Sequence, residues 1–423
     1  MTEGEAHAIA VVGGAAAGAE AAGIFASRGI LTVVIEQNAR PYGKIEDGLP
    51  RWHVALREKE YRTIDQKLDQ PHVHFVPRTR LGRDIDLREL TEGWGFHAIV
   101  LANGAWRDRP LPLEDADRWI GRGLVYQNPF IYGFNHAHEP GFAGERYEIR
   151  DGTIVVGGGL ASIDVAKVVQ FELTLEALRQ RGIEADLVEL EVKGIPRVLA
   201  AHGLTWEALG LRGCTLYYRR RPQDMPLVSL PENATPAQQE KVAKSRARVL
   251  EKATEKYLFR VEPLHAPVDL IIENERLVGL EFARTRVEGG RVERTDARVP
   301  VRAPLTISSI GSIPEPLPGI AMKGELYAFE DWELGRLPRF PTLFSAGNVV
   351  TGKGNIVDSR RHARKVASHV TERYLALADA VQTRPPLDPA RRRSLLERIR
   401  KHQERAGYEG DYSRWIARVS PGG

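Results

Sequence analysis

Two glycine-rich turns stand where a strand should hand over to a helix, and each is suited to bring backbone amides against phosphate oxygens. The first reads Val11-Val12-Gly13-Gly14-Ala15-Ala16-Ala17-Gly18, the second Val155-Val156-Gly157-Gly158-Gly159-Leu160-Ala161-Ser162. Glycine permits the tight reversal and the close approach of a diphosphate, while the positive end of the following helix faces its charge. In the first turn Gly13 suits the reversal and Gly18 the helix–strand packing, whereas Ala15 replaces the usual middle glycine and puts a methyl in the phosphate's path. Glu36, with Gln37 beside it, follows at about the 20-residue spacing where an acid accepts hydrogen bonds from ribose hydroxyls. An acid there repels a 2′-phosphate, so this turn reads as a site for FAD or NAD rather than NADP. In the second turn Gly157 and Gly159 shape the reversal, and Leu160 and Ala161 open the helix. The strand Cys214 to Tyr218 then ends in Arg219-Arg220-Arg221, where an NAD site would carry an acid. Guanidinium groups match phosphate oxygens and keep their charge, which favours NADPH over NADH. The competing readings are a glycine turn without a ligand and a solvated basic turn. One such turn predicts a nucleotide; two predict electron traffic between two.

The elements that must hold these turns are legible in the hydrophobic pattern. Ala8 to Val12 reads as a buried strand, Gly18 to Arg28 as a helix and Leu31 to Ile35 as a second strand, together a βαβ unit. A second strand–turn–helix starts at Thr153, and the long interval from Gly159 to Arg219 requires an insertion between Phe171 and Gly213. A helix is predicted from Thr235 to Phe259, with Thr235 as cap, Pro236 at the first position and Gln238 placed for the reciprocal cap. Val268 to Phe282 and Arg291 to Val299 read as strands, with Gly289-Gly290 in a turn. A last helix is predicted from Pro389, after the capping Asp388, to about Arg405, stopping before Gly407.

With 423 residues the chain exceeds what one core usually supports. Its 42% apolar and 27% charged residues fit a globular protein, and no apolar run reaches a membrane span. The acidic start, Met1-Thr2-Glu3-Gly4-Glu5, differs from a basic secretory leader, so the chain reads as cytoplasmic. One cysteine, Cys214, excludes an internal disulfide, a redox dithiol and a four-cysteine iron–sulfur or zinc site. The net charge of +4 fits an acidic partner, and no zinc-finger or basic–aromatic motif points to nucleic acid. A monomer or weak oligomer is expected.

Arg40-Pro41-Tyr42-Gly43, followed by Gly48-Leu49-Pro50-Arg51-Trp52-His53, resembles the adrenodoxin reductase group of FAD-dependent NADPH:ferredoxin reductases, which is related to the small subunit of glutamate synthase. Further segments agree in order: Arg80 to Ile85, Val100-Leu101-Ala102-Asn103-Gly104-Ala105, Phe130 to Asn135, Tyr218-Arg219-Arg220 with Met225-Pro226, and Gly347 to Ile356. The chain departs from that group at Ala15, Asn103 and Ser162. It departs again across Gly347-Asn348-Val349-Val350-Thr351-Gly352-Lys353, where many relatives carry Trp and Arg-Gly-Pro.

The resemblance implies an α/β fold with two Rossmann-like dinucleotide-binding domains, the NADP domain inserted into the FAD domain: residues 1–108 with 330–423 for FAD, and 109–329 for NADP. It implies electron transfer from NADPH through FAD to a ferredoxin or flavodoxin, and through it to a cytochrome P450. An electron-input subunit of a glutamate synthase-like complex and a flavin-binding redox sensor without turnover stay open beside it. His53 and Asp164 fall where the group has a histidine and an aspartate near the reacting rings, the alternatives being a structural contact or two unrelated groups. Tyr42, Gly43, Leu49, Ala102, Asn103, Gly104, Gly347 and Asn348 are expected around the flavin nucleotide. Gly354, Asn355 and Ile356 are expected to offer helix-start amides to its pyrimidine. Arg360, Arg361, Arg364 and Lys365, with the basic last helix, are expected either to steer an acidic carrier or to form a solvated face.

Overall fold

The computed structural model describes residues 7–231, 233–352, 354–377 and 385–420. The chain forms two compact units. One comprises 1–49, 53–107 and 312–423, the other 50–52 and 108–311.

The first unit is built on a five-stranded parallel sheet. Its strands Ala8–Val12 and Leu31–Ile35 are buried along their whole length, which is why their sequence is continuously apolar rather than alternating. The order across the sheet is Leu343–Ser345, Ala98–Leu101, Ala8–Val12, Leu31–Ile35, Val73–Val76, all parallel. The chain therefore winds outward in one direction from Ala8–Val12 and in the other from Ala98–Leu101. A crevice forms at this reversal, beyond the carboxyl ends of the two strands. Helix Ala16–Ser27 covers the sheet together with Val54–Leu68 and Ile356–His369, through a core that includes Phe25, Ile64, Phe344 and Val366. Helix Pro389–Ala406 ends at Gly407, whose φ of 76° is the left-handed stop its position predicts. This helix covers the edge strand Val73–Val76, where Gln403 Nε2 donates to the Phe75 carbonyl at 2.9 Å, and in the following helix Tyr412–Val419 Trp415 Nε1 donates to the Ala39 carbonyl at 2.7 Å.

Residues 312–329, expected in the inserted domain, belong to this first unit. Tyr327 explains the difference. Its ring is fully buried in the core that holds Ile99 and Leu343, and its hydroxyl donates to the Glu315 carbonyl at 2.7 Å.

The second unit repeats the plan with Leu124–Tyr126, Thr306–Ser309, Ile154–Gly157, Thr215–Tyr218 and Arg260–Pro263 in that parallel order. Its reversal lies between Ile154–Gly157 and Thr306–Ser309. The insertion after Phe171 is helical: Leu160–Arg179 is followed by Leu187–Lys193, Ile195–Ala201 and Trp206–Leu209. Helix Pro236–Tyr257 carries the predicted capping box between Thr235 and Gln238. The expected strand Val268 to Phe282 is instead two, His265–Glu273 and Arg276–Glu288, and the second of them lies between the first and Arg291–Arg302 in an antiparallel sheet. They are joined by Asn274 and Glu275, both at positive φ (48° and 56°). This is a two-residue hairpin whose second residue lacks the glycine that usually announces it.

Candidate functional site

In the first unit the crevice is walled by the glycine turn on one side and by Ala102-Asn103-Gly104 on the other. Gly13 has φ 97°, and a methyl built on it would lie 2.6 Å from the Ala102 carbonyl oxygen, so the two loops meet backbone to backbone. A methyl on Gly18 would lie 1.7 Å from the Gly13 carbonyl oxygen, so its absence lets helix Ala16–Ser27 start directly under the turn. That helix has Ala15 as N-cap, no side-chain cap and no acid in its first turn. Its first amides are therefore left to bind an anion. Gly43 (φ 51°) and Gly347 (φ 78°) close in from outside: added methyls would lie 2.9 Å from Ala15 Cβ and 2.5 Å from Ala17 Cβ.

Glu36 stands at the end of the second strand, 4% exposed. Its Oε2 accepts the Gly14 amide at 2.8 Å and its Oε1 the Asn38 amide at 2.9 Å. Burial pushes its carboxyl up to about 7 against these hydrogen bonds, which favour the anion. Asn103 Nδ2 donates to Tyr327 Oη at 3.2 Å, while its buried Oδ1 has no hydrogen-bond partner among the described residues. A buried acceptor left open beside a carboxylate and uncapped helix amides matches the needs of a ribose–diphosphate.

Other expected residues have different duties. Tyr42 is 3% exposed, stacked on Tyr61 at 4.0 Å with its hydroxyl on Asp65 at 3.1 Å, so its side chain belongs to the core. The Gly354 amide is committed to Asn348 Oδ1 at 2.7 Å, and Asn355 caps the next helix by accepting the Asp358 amide at 2.7 Å. The expected row of donors at Gly354, Asn355 and Ile356 is thus partly occupied by the chain itself, and Asp358 adds negative charge to that first turn. Lys353 lies outside the described residues, as does Glu232.

Arg360, Arg364, Arg361 and Lys365 pair with Glu60, Glu20, Asp358 and Glu333 at 2.5, 2.5, 2.7 and 2.9 Å. They form no uncompensated basic face, because four carboxylates meet them. Burial pushes Glu20 upward, but its contacts with Lys67 and Arg364 outweigh this and hold it low. Sequence reasoning also missed His362, whose signal is tertiary: Nδ1 accepts the Gly347 amide at 3.0 Å and Nε2 faces the Glu333 carbonyl at 3.0 Å. An amide can only donate and a carbonyl only accept, so the ring is neutral with its proton on Nε2.

In the second unit, a methyl on Gly157 would lie 2.2 Å from Ser162 Oγ and 2.3 Å from the Ser309 carbonyl oxygen. Gly159, the N-cap of Leu160–Arg179, meets nothing within 4 Å, and the helix has no acid in its first turn. Leu160 is 53% exposed and Ala161 is exposed beside it, which leaves this helix start open. Beyond the second strand, Arg221 is tied to Asp224 through Nε at 2.8 Å and the terminal nitrogen at 3.0 Å. Among the described residues Arg219 and Arg220 form no ion pair, although the charge of Arg220 adds to that of Arg221 in holding the Asp224 carboxyl low.

No family model matches the chain. Over 137 residues it is 28% identical to cindoxin reductase of Citrobacter braakii, covering 32% of this chain and 28% of that protein. Over 114 residues it is 35% identical to the small chain of the NADPH glutamate synthase of Mycobacterium tuberculosis, covering 26% of this chain and 22% of that one. The chain thus spans well under half the length of these curated relatives. Among solved structures it matches Mycobacterium tuberculosis FprA in complex with NADPH with a TM-score of 0.71 and 18% identity, over 94% of this chain and 90% of that one. The two share one fold.

His53 belongs to the first unit, where it precedes helix Val54–Leu68 as N-cap without a side-chain cap bond. Asp164 belongs to the second, on helix Leu160–Arg179, with Lys167 Nζ at 3.6 Å. That buried ammonium also meets Glu191 at 2.8 Å and lies over the rings of Trp52 and Tyr257 at 4.8 and 4.7 Å. Leu49 is the last residue of the stretch 1–49 of the first unit, the stretch that contains the glycine turn. No helix among the described residues is long and apolar enough to cross a membrane.

Proposed function

We propose that the chain is an NADPH-dependent FAD oxidoreductase that passes electrons to a ferredoxin-type carrier. One observation carries this reading: the two parallel sheets end their second strands with opposite charge, Glu36 in one and Arg219-Arg220 in the other. A carboxylate accepts ribose hydroxyls and repels a 2′-phosphate; a pair of guanidinium groups not held in an ion pair does the reverse. The first unit is accordingly the FAD domain and the second the NADPH domain. The likeness to cindoxin reductase supports the same chemistry.

FAD, when bound, accepts a hydride from NADPH and releases its two electrons one at a time. The chain supplies binding and orientation. The first-turn amides of Ala16–Ser27 meet the diphosphate, Glu36 the ribose, and Gly13, Gly43 and Gly347 let the backbone close around it. In the NADPH domain the amides of Leu160 and Ala161 meet the diphosphate, and Arg219 with Arg220 the 2′-phosphate. His53 and Asp164 are the candidates for orienting the reacting rings. We place the protein in the cytoplasm, acting on ferredoxin or flavodoxin.

The test is an anaerobic assay with NADPH, the FAD-loaded protein and a purified ferredoxin or flavodoxin. Reduction of either carrier is expected. Reduction of a neutral dye but of neither carrier would contradict the assignment of the acceptor, and a flavin left oxidised by NADPH would favour the sensor reading.

A further inference from the structure

The second glycine turn is held by a hydroxyl that the motif does not require. Ser162 is fully buried at the third position of helix Leu160–Arg179. Its Oγ donates to the Ser309 carbonyl at 2.8 Å and accepts the Gly159 amide at 3.3 Å. Ser309 ends the neighbouring strand, and its own Oγ donates to Gln127 Oε1 at 2.6 Å. A single hydroxyl therefore joins the turn, the helix start and the strand on the far side of the reversal. Gly157 makes this reachable, because any side chain there would occupy the space Ser162 Oγ fills.

From this geometry we infer that Ser162 is a positioning residue for the diphosphate of the pyridine nucleotide. The inference rests on the reading of the second unit as the NADPH domain. A glycine turn is otherwise loose, since glycine gives up more backbone freedom on ordering than any other residue. Ser162 fixes the Gly158-Gly159 backbone before the ligand arrives, so binding need not order it. Its accepting bond also turns the Gly159 amide inward, leaving the Leu160 and Ala161 amides, which have no partner within the helix, as the donors facing outward. The hydroxyl touches no ligand atom itself; it acts through the turn.

The experiment compares two probes on the wild type and on Ser162→Ala by calorimetry or competition. NADP+ carries the diphosphate; adenosine 2′-monophosphate carries the phosphate for Arg219 and Arg220 and has none at the turn. Loss of the two hydrogen bonds made by this hydroxyl should weaken NADP+ by roughly five- to tenfold and leave adenosine 2′-monophosphate unchanged. Steady-state kinetics should show the same loss in KM for NADPH with kcat retained. Unchanged NADP+ affinity would overturn the inference. So would an equal loss of both probes, which would mean that the hydroxyl supports the whole domain rather than the turn. A wild type that binds neither probe would instead refute the NADPH-domain reading beneath it.

Discussion

The Gly14 amide donates to Glu36 Oε2 at 2.8 Å, so the residue expected to recognise a ribose also pins the glycine turn that receives the diphosphate. The two functions share one carboxylate, and its protonation state affects both.

This coupling sets a pH dependence. Glu36 keeps its proton up to about 7 in the folded chain, whereas an ordinary glutamate loses it near 4.5. The folded state thus binds more protons across that window. The stability contributed by this group is present in full below 4.5 and is lost as pH rises through about 7. FAD binding runs the other way, because ribose hydroxyls donate best to the ionised carboxylate. FAD affinity of the apoprotein should rise as pH passes through about 7 and level off above it. Titration of flavin fluorescence on the wild type and Glu36→Gln checks this: the variant should bind more weakly and lose the slope.

Glycines that serve the fold and glycines that serve the ligand should separate. Gly13 has φ 97° and faces the Ala102 carbonyl, so Gly13→Ala should cost ~2 kcal/mol or more in urea unfolding. Gly159 has φ −93° and meets nothing within 4 Å. Gly159→Ala should therefore stay within about 0.5 kcal/mol of the wild type. It should nevertheless weaken NADP+ binding, since the methyl enters the space in front of the helix start.

These contrasts mark what the sequence made legible. The first two strands, both glycine turns, the Thr235 cap and the Gly407 stop follow from local chemistry and were readable one residue at a time. Contacts made across the fold were not. Ser309 and His362 carry no motif, and their roles exist only because strand order brings them to the turns. Tyr42 sits next to Gly43 in a segment that resembles a binding motif, yet a tyrosine there has the same letter whether it faces a ligand or Asp65. The ion pairs of the basic run from Arg360 to Lys365 were hidden for a related reason: its counter-charges Glu20, Glu60 and Glu333 lie far away in the chain.

Discrimination between pyridine nucleotides should reside in Arg219 and Arg220. Replacing either with alanine should raise the KM for NADPH about tenfold or more, the worth of a charge-assisted hydrogen bond, and leave NADH turnover unchanged. Arg221→Ala should do far less, because that guanidinium is already held by Asp224. Paired kinetics with the two coenzymes distinguish these outcomes.

His362 gives a second pH signature with the opposite sign. Burial holds its imidazole below the ordinary 6.5, with Lys365 adding to the effect against the hydrogen bond to Glu333. The unfolded chain therefore takes up this proton first. The contribution to stability is present in full above 6.5 and is lost as pH falls below it. His362→Asn, whose amide oxygen can still accept from Gly347, should flatten that part of the profile in thermal melts, and His362→Ala should be less stable at every pH.

The central claim is that two nucleotide sites of opposite charge preference form one reductase. Anaerobic rapid mixing of the FAD-reconstituted protein with NADPH, followed through the flavin absorbance band, tests it most directly. Full bleaching by NADPH, and much slower bleaching by NADH at equal concentration, is the predicted result. Protein that takes up no flavin on reconstitution, or whose flavin stays oxidised with NADPH in excess, would contradict it.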